Sequence, residues 1–203
     1  DMSSPGVSVN KISSIDDHHS LNEVVFDNVR VPTANRIGEE GKGWTYAKAL
    51  LAHERTSIAA VADSKRKLRE LRELLAQEVS GGRPLSEDTQ FQNRLSNTEI
   101  ELMALEYTEL RVLASTADGK GPGVESSLLK IKGTEIQQAI QQMYMDLAGY
   151  YSGVIHGEDT EESIGHAFGH SARQAYMYGR AATIYGGSNE VQKNITAKYV
   201  LGL

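Results

Sequence analysis

Three long stretches of this chain place apolar residues three and four positions apart, and glycine or proline interrupts each of them. No other feature constrains the fold as much. The spacing is that of one face of an α-helix, and long helices joined by short turns bury their stripes by packing antiparallel. From Gly43 to Val79 the stripe reads Trp44, Ala47, Leu51, Ile58, Val61, Leu68, Leu71 and Leu75. As one continuous helix this segment would be about 50 Å long; Gly81, Gly82 and Pro84 close it. The second stretch takes Ser86 as its N-cap and runs to Asp118 through Phe91, Leu95, Leu102, Leu105 and Leu113. The third spans Val124 to Leu147 through Leu128, Ile131, Ile136, Ile140 and Met143. An irregular segment covers Ala148 to His170; a short helix is predicted over Ala172 to Ala182 and a last one from Ser188 to Leu201. The expected fold is mainly α, an antiparallel up-down helical bundle preceded by a few β-strands.

Those strands fall in the first part of the chain. Gly6 to Ile12 alternates roughly, and Asn22 to Val31 is the clearer strand. Gly38, Gly41 and Gly43 mark a turning linker. So short a piece cannot bury a core alone. Residues 1–42 therefore read as the end of a β-domain and its linker, and 43–203 as the helical domain. The chain is expected to be the C-terminal part of a longer protein.

Charge and composition narrow the function. The net charge of −6 argues against nucleic acid, which needs a concentrated basic face. The cluster Lys65, Arg66, Lys67, Arg69 and Arg72 alternates with Leu68, Glu70, Leu71 and Glu73, as the solvated side of an amphipathic helix does. The absence of cysteine excludes disulfides, thiolate metal sites and a cysteine nucleophile. No apolar run reaches the ~18 residues of a membrane span and no signal peptide is legible, so a cytoplasmic protein without membrane contact is expected.

Two constellations carry chemistry. Glu54 falls on the apolar stripe, between Leu51 and Ile58. A carboxylate facing a bundle interior must be paired, hydrogen-bonded or protonated. It is either a structural ion pair or stripe-edge residue, or a general base whose pKa is raised by apolar neighbours. Arg55, about 100° around the helix, ties this helix to a neighbour or meets a ligand. The second constellation is Tyr185-Gly186-Gly187-Ser188-Asn189-Glu190-Val191-Gln192. Two glycines admit close backbone approach, Ser188 is a natural N-cap, and Glu190 suits the first turn. This is a plain turn and cap, or a helix start whose N–H groups bind a ligand oxygen. Gly38 to Gly43 lacks the spacing of a phosphate loop and reads as linker. His166 and His170 read as a loop pair; no metal site is expected.

Taken in order, these residues resemble a known family. The strand Val24-Val25-Phe26-Asp27-Asn28-Val29-Arg30-Val31-Pro32 is followed by Gly38-Glu39-Glu40-Gly41-Lys42-Gly43-Trp44, then by Glu54-Arg55, and finally by Ile184 to Ile195. This order is similar to that of the flavin-dependent acyl-CoA dehydrogenases, over essentially the whole chain. The resemblance implies the end of a middle β-domain followed by the C-terminal helical domain. It implies FAD between the two, an acyl-CoA substrate, and α,β-dehydrogenation to a trans-2-enoyl-CoA with FAD accepting the β-hydride. Electron-transfer flavoprotein is the implied electron acceptor, and a homotetramer or α2β2 hetero-oligomer the implied assembly.

Most members carry the catalytic glutamate directly after the tyrosine of the late motif, where this chain has Gly186. A minority carries it before an arginine on the first helix, where Glu54-Arg55 stands. The resemblance therefore implies Glu54 as catalytic base. It implies Ser188, Glu190 and Gly187 as cofactor-binding, and Tyr185, Gly186 and Arg55 at the substrate. Gly81-Gly82-Arg83-Pro84 replaces the family's Arg-x-x-Phe-Gly, and Met145 to Gly149 its Gln-x-x-Gly-Gly. With Lys130 to Gln138, these departures look most like the large subunit of pimeloyl-CoA-type dehydrogenases. Two other readings stand: a non-catalytic subunit of a hetero-oligomeric dehydrogenase, with Gly186 marking a lost base, and a helical interaction module binding neither flavin nor CoA.

Overall fold

The computed structural model describes residues 1–118, 123–153, 165 and 167–203; of residues 52–56 and 167 the backbone alone is described. The chain forms two compact units, residues 1–49 and 50–203.

In the first unit β1 (Val7–Ile12) pairs antiparallel with β2 (Leu21–Phe26), from Val7 opposite Phe26 to Ile12 opposite Leu21. The second strand is shorter than the predicted Asn22 to Val31. Asn28 takes a positive φ of 50° and turns the chain away after Phe26. Val24, Val25 and Phe26 remain exposed, so this ribbon builds no core of its own. The glycine linker turns as predicted, with positive φ at Gly38 and Gly41.

The second unit is a helical bundle. Among the described residues the helices of the chain are α1 (Gly43–Ile58), α2 (Val61–Gln77), α3 (Thr89–Ala117), α4 (Glu125–Ala148), α5 (Ala167–Gly179) and α6 (Asn189–Thr196). Their directions can be read from cross-helix pairs. Lys65 meets Glu106 at 2.7 Å while Arg72 meets Glu99, so α2 and α3 run antiparallel. Arg94 meets Asp146 and Glu101 meets Lys132, so α3 and α4 do too. α4 is the centre, touching α2, α3, α5 and α6. Leu68, Leu71 and Leu75 of α2, Leu95, Leu102 and Leu105 of α3, and Ile136, Ile140 and Met143 of α4 form the core.

The predicted single helix over Gly43 to Val79 is two helices. Ala60 adopts the left-handed conformation, φ 48° and ψ 41°, and breaks the hydrogen-bond ladder between Ile58 and Val61. The early stripe is also not buried: Trp44 is 71 % exposed, and Leu51 is exposed as well. The other helices need smaller corrections. The N-cap of α3 is Asp88, whose carboxylate accepts from the N–H groups of Gln90 and Phe91, rather than Ser86. Val112, not Leu113, faces the core, and on α4 Leu129 is buried while Leu128 is not. Gly81 and Gly82 are the positive-φ turn of a small hairpin, β3 (Val79–Ser80) with β4 (Arg83–Pro84). α5 begins at Ala167, earlier than predicted, so His170 is helical. The basic residues Lys65, Arg66, Arg69 and Arg72 lie on the exposed face of α2, as read from sequence.

Candidate functional site

The glycine turn before α6 is built by its own backbone. A 3-10 turn at Arg180–Thr183 leads into it, and the N–H groups of Ile184 and Tyr185 both donate to the Ala181 carbonyl. Gly186 and Gly187 follow with φ of +65° and +87°, a conformation that a side chain disfavours by about 1–2 kcal/mol. Ser188 is the N-cap: its hydroxyl accepts from Val191 N–H at 3.4 Å, and its carbonyl accepts from Gln192 N–H.

Gln192 locks the turn from beneath. It is fully buried, and its Nε2 donates to the Gly186 carbonyl at 3.2 Å and to the Gly187 carbonyl at 3.4 Å. A Cβ at Gly187 would overlap that amide. At Gly186 a Cβ would stand 2.6 Å from Ile58 Cδ1. The tip of Ile58, the last residue of α1, would therefore have to turn aside for a side chain at 186.

The charges at the turn are unevenly placed. The Glu190 carboxyl is held below its usual range by its own backbone N–H and the Ser188 hydroxyl, with Lys193 and Lys130 adding to the effect. So the start of α6 already has an anion, and the N–H groups read from sequence as open to a ligand oxygen are partly occupied. Tyr185 is 43 % exposed; burial of its ring side pushes the phenol up, and Tyr178 adds to this.

α4 holds both the turn and the end of α1. Lys130 is fully buried, and its Nζ donates to Asn189 Oδ1, 2.8 Å away, on the first residue of α6. Burial pulls the Lys130 ammonium below its usual range, and Glu190 opposes this. The Thr134 hydroxyl lies 2.9 Å from the Lys130 carbonyl and 3.5 Å from Asn189 Oδ1. Gln137 Nε2 donates to the Ile58 carbonyl at 2.9 Å, satisfying a group freed at the end of α1. A Cβ on Gly133 would stand 2.6 Å from Ala59 Cα.

The structure thus gathers Tyr185, Gly186, Gly187, Ser188 and Glu190 on one turn, with Ile58 beside Gly186. Glu54 and Arg55 belong to α1, but their side chains lie outside the described residues, so their role is untouched by these contacts. Glu54 precedes Ile58 by four residues, about one turn of α1. His166 lies outside the described residues, and His156 does too. Among the described residues no cluster of three or more His, Asp or Glu could hold a metal ion, and no helix is long and apolar enough to cross a membrane. Sequence reasoning assigned no role to Lys130, Gln137 and Gln192. Lys130, Thr134 and Gln137 do repeat at helical spacing beside an apolar stripe, but that spacing alone does not separate a buried polar face from a solvated one.

Comparison with known proteins gives this site a family. The model of the acyl-CoA dehydrogenase C-terminal domain matches residues 41–201. The acyl-CoA dehydrogenase IpdE1 of Mycobacterium tuberculosis is 30% identical over 205 residues, which covers 98% of this chain and 48% of that protein. Its namesake from Mycolicibacterium smegmatis is 29% identical over 199 residues, covering 98% and 46%. Among solved structures, the ChsE4-ChsE5 complex from Mycobacterium tuberculosis matches with a TM-score of 0.81 at 27% identity, over 100% of this chain and 51% of that one. The chain spans about half the length of these relatives. With the matching model covering most of its length, the chain belongs to the acyl-CoA dehydrogenase family, of which it carries the C-terminal helical domain.

Proposed function

We propose that this chain forms the helical wall of an acyl-CoA dehydrogenase active site in which Glu54 is the base that removes the α-proton of an acyl-CoA thioester. The observation that carries this reading is the contact between Ile58 and Gly186. The position after Tyr185, where most of the family places its carboxylate, carries none; a side chain there would adopt a strained positive φ and push the tip of Ile58 aside. Glu54 stands about one turn of α1 from that contact. Tyr185 and the Gly186 backbone line the acyl group, and Arg55 completes the substrate side.

The residues at the turn fit FAD in a specific way. Ile184 and Tyr185 expose apolar surface there, as a flat ring system requires. Ser188 and Glu190 present a hydroxyl and a carboxylate at the start of α6, which suits the hydroxyls of a ribityl chain and repels a phosphate. The Gly187 backbone approaches without a side chain between. When bound, FAD supplies the acceptor for the β-hydride, and the product is the trans-2-enoyl-CoA. Electron-transfer flavoprotein is the proposed acceptor beyond it, and the cytoplasm the proposed location. A homotetramer or α2β2 assembly is supported by the stripe Ile100, Met103, Tyr107 and Leu110, exposed on α3 at steps of three and four.

Glu54→Gln in the full-length protein tests the base. Flavin bleaching on addition of acyl-CoA should slow by about a hundred- to ten-thousandfold; an unchanged rate refutes the assignment. A second reading, a non-catalytic subunit, is favoured by the likeness to one chain of the ChsE4-ChsE5 complex. Flavin reduction by the protein expressed without a partner would exclude it.

A further inference from the structure

We infer that Lys130 is a positioning residue for this site, holding the glycine turn at a fixed distance from the helix that carries Glu54. The inference rests on the dehydrogenase reading above and deepens it.

The argument begins with an unfavourable burial. Lys130 is the largest side chain in the chain with no exposed surface among those described. A buried ammonium needs a compensating partner. Its hydrogen-bond acceptor is the neutral carbonyl of Asn189, and the Glu190 carboxylate acts on it through charge alone, not enough to offset burial. It also stands beside the first turn of α6, the positive end of the helix dipole. For stability alone, methionine would fill this space without any of that cost. What the ammonium provides instead is a directional bond across 59 residues of sequence, from the second turn of α4 to the first residue of α6.

The same face of α4 grips the other wall. Lys130, Gly133, Thr134 and Gln137 follow one another at steps of three, one and three, so they line one side of the helix. Gly133 lets the α4 backbone lie directly against Ala59, and Gln137 holds the Ile58 carbonyl. One rigid helical face therefore fixes both the end of α1 and the start of α6. The two grips are separated along α4 by the helical rise from Lys130 to Gln137, about 10 Å, so they hold the end of α1 and the start of α6 in one fixed relation. Proton removal is sensitive to such a relation, since a displacement of about 1 Å can cost a hundredfold in rate.

The test uses the full-length flavin-loaded protein and three variants: Lys130→Met, Lys130→Gln and Asn189→Asp. Three quantities are read: flavin bleaching in a single turnover at saturating acyl-CoA, the acyl-CoA dissociation constant from the flavin spectrum, and amide exchange of residues 184–196. For Lys130→Met the bleaching rate should fall about ten- to a hundredfold, the dissociation constant should change less than about threefold, and the turn amides should exchange at least about tenfold faster. Lys130→Gln keeps an N–H donor and should fall between. Asn189→Asp keeps the acceptor and should retain the wild-type rate within about threefold. The inference is overturned by an unchanged rate and exchange in Lys130→Met, by parallel loss of rate and affinity, or by unfolding of all three variants. A wild-type protein that no acyl-CoA bleaches sinks the dehydrogenase reading instead, and the exchange measurement, which needs no turnover, then decides the positioning role by itself.

Discussion

The missing side chain at residue 186 has consequences that a substitution can expose. Gly186 holds a φ of +65°, and Ile58 fills the space beside it. Gly186→Glu should therefore fail to restore activity to Glu54→Gln, because the new side chain meets both backbone strain and Ile58. Adding Ile58→Ala opens that space, and the triple variant should recover flavin bleaching above the Glu54→Gln level. Equal rates with and without Ile58→Ala would mean that Ile58 does not exclude a carboxylate here. Gly133 gives a cleaner prediction, since the neighbour it meets is backbone that cannot rotate aside. Gly133→Ala should destabilise the bundle by about 1–3 kcal/mol in thermal unfolding. Of the residues at the site, the sequence exposed those that break a pattern. Glu54 drew notice only as a carboxylate on an apolar stripe whose early part is exposed, whereas Gly186-Gly187 stands between two helical patterns, so the turn was legible. Lys130 was not, because a lysine next to a buried stripe is usually a solvated one, and only the position of Asn189 gives it a buried acceptor.

At the scale of elements, periodicity revealed which helices exist and capping chemistry placed their ends less well. The break at Ala60 carries no glycine or proline, so nothing local announced it; packing against Gly133 and Gln137 holds it. Ala60→Gly should stabilise the protein by up to about 1 kcal/mol, since glycine adopts the left-handed conformation without strain. A lower melting temperature would show that the Ala60 methyl packs usefully instead. At α3 two candidate caps stood close together, and Asp88 won because its carboxylate reaches two N–H groups. Asp88→Ala should cost about 1 kcal/mol and Ser86→Ala almost nothing, as urea unfolding of each variant would show. The stripes of α3 and α4 erred by one residue, at Leu113 and Leu128, because apolar residues at adjacent positions (Val112 and Leu113, Leu128 and Leu129) fit a three-four spacing equally well until a partner helix selects one.

At the scale of the whole molecule, 27 acidic residues face 21 basic ones, and α2 shows how the bundle uses that excess. Asp63 in its first turn pairs with Arg66 at 2.6 Å and Lys67 at 2.8 Å. Partial burial raises the Asp63 carboxyl, but the hydrogen bonds and charges of Lys67 and Arg66 outweigh it and hold the group below its ordinary range. A carboxyl depressed on folding binds its proton more weakly in the folded state than in the unfolded one. Its contribution is complete above about pH 4, the unfolded range, and disappears as pH falls through the lower folded value. Asp63→Asn should therefore lower the urea midpoint of the helical signal at pH 6, and the difference between variant and wild type should narrow as pH falls below about 4. The pairs are half-exposed, so the difference at pH 6 should also shrink in 1 M salt, where the screening length is about 3 Å. A difference that did not narrow with falling pH would assign the effect to packing of the Asp63 side chain rather than to its charge.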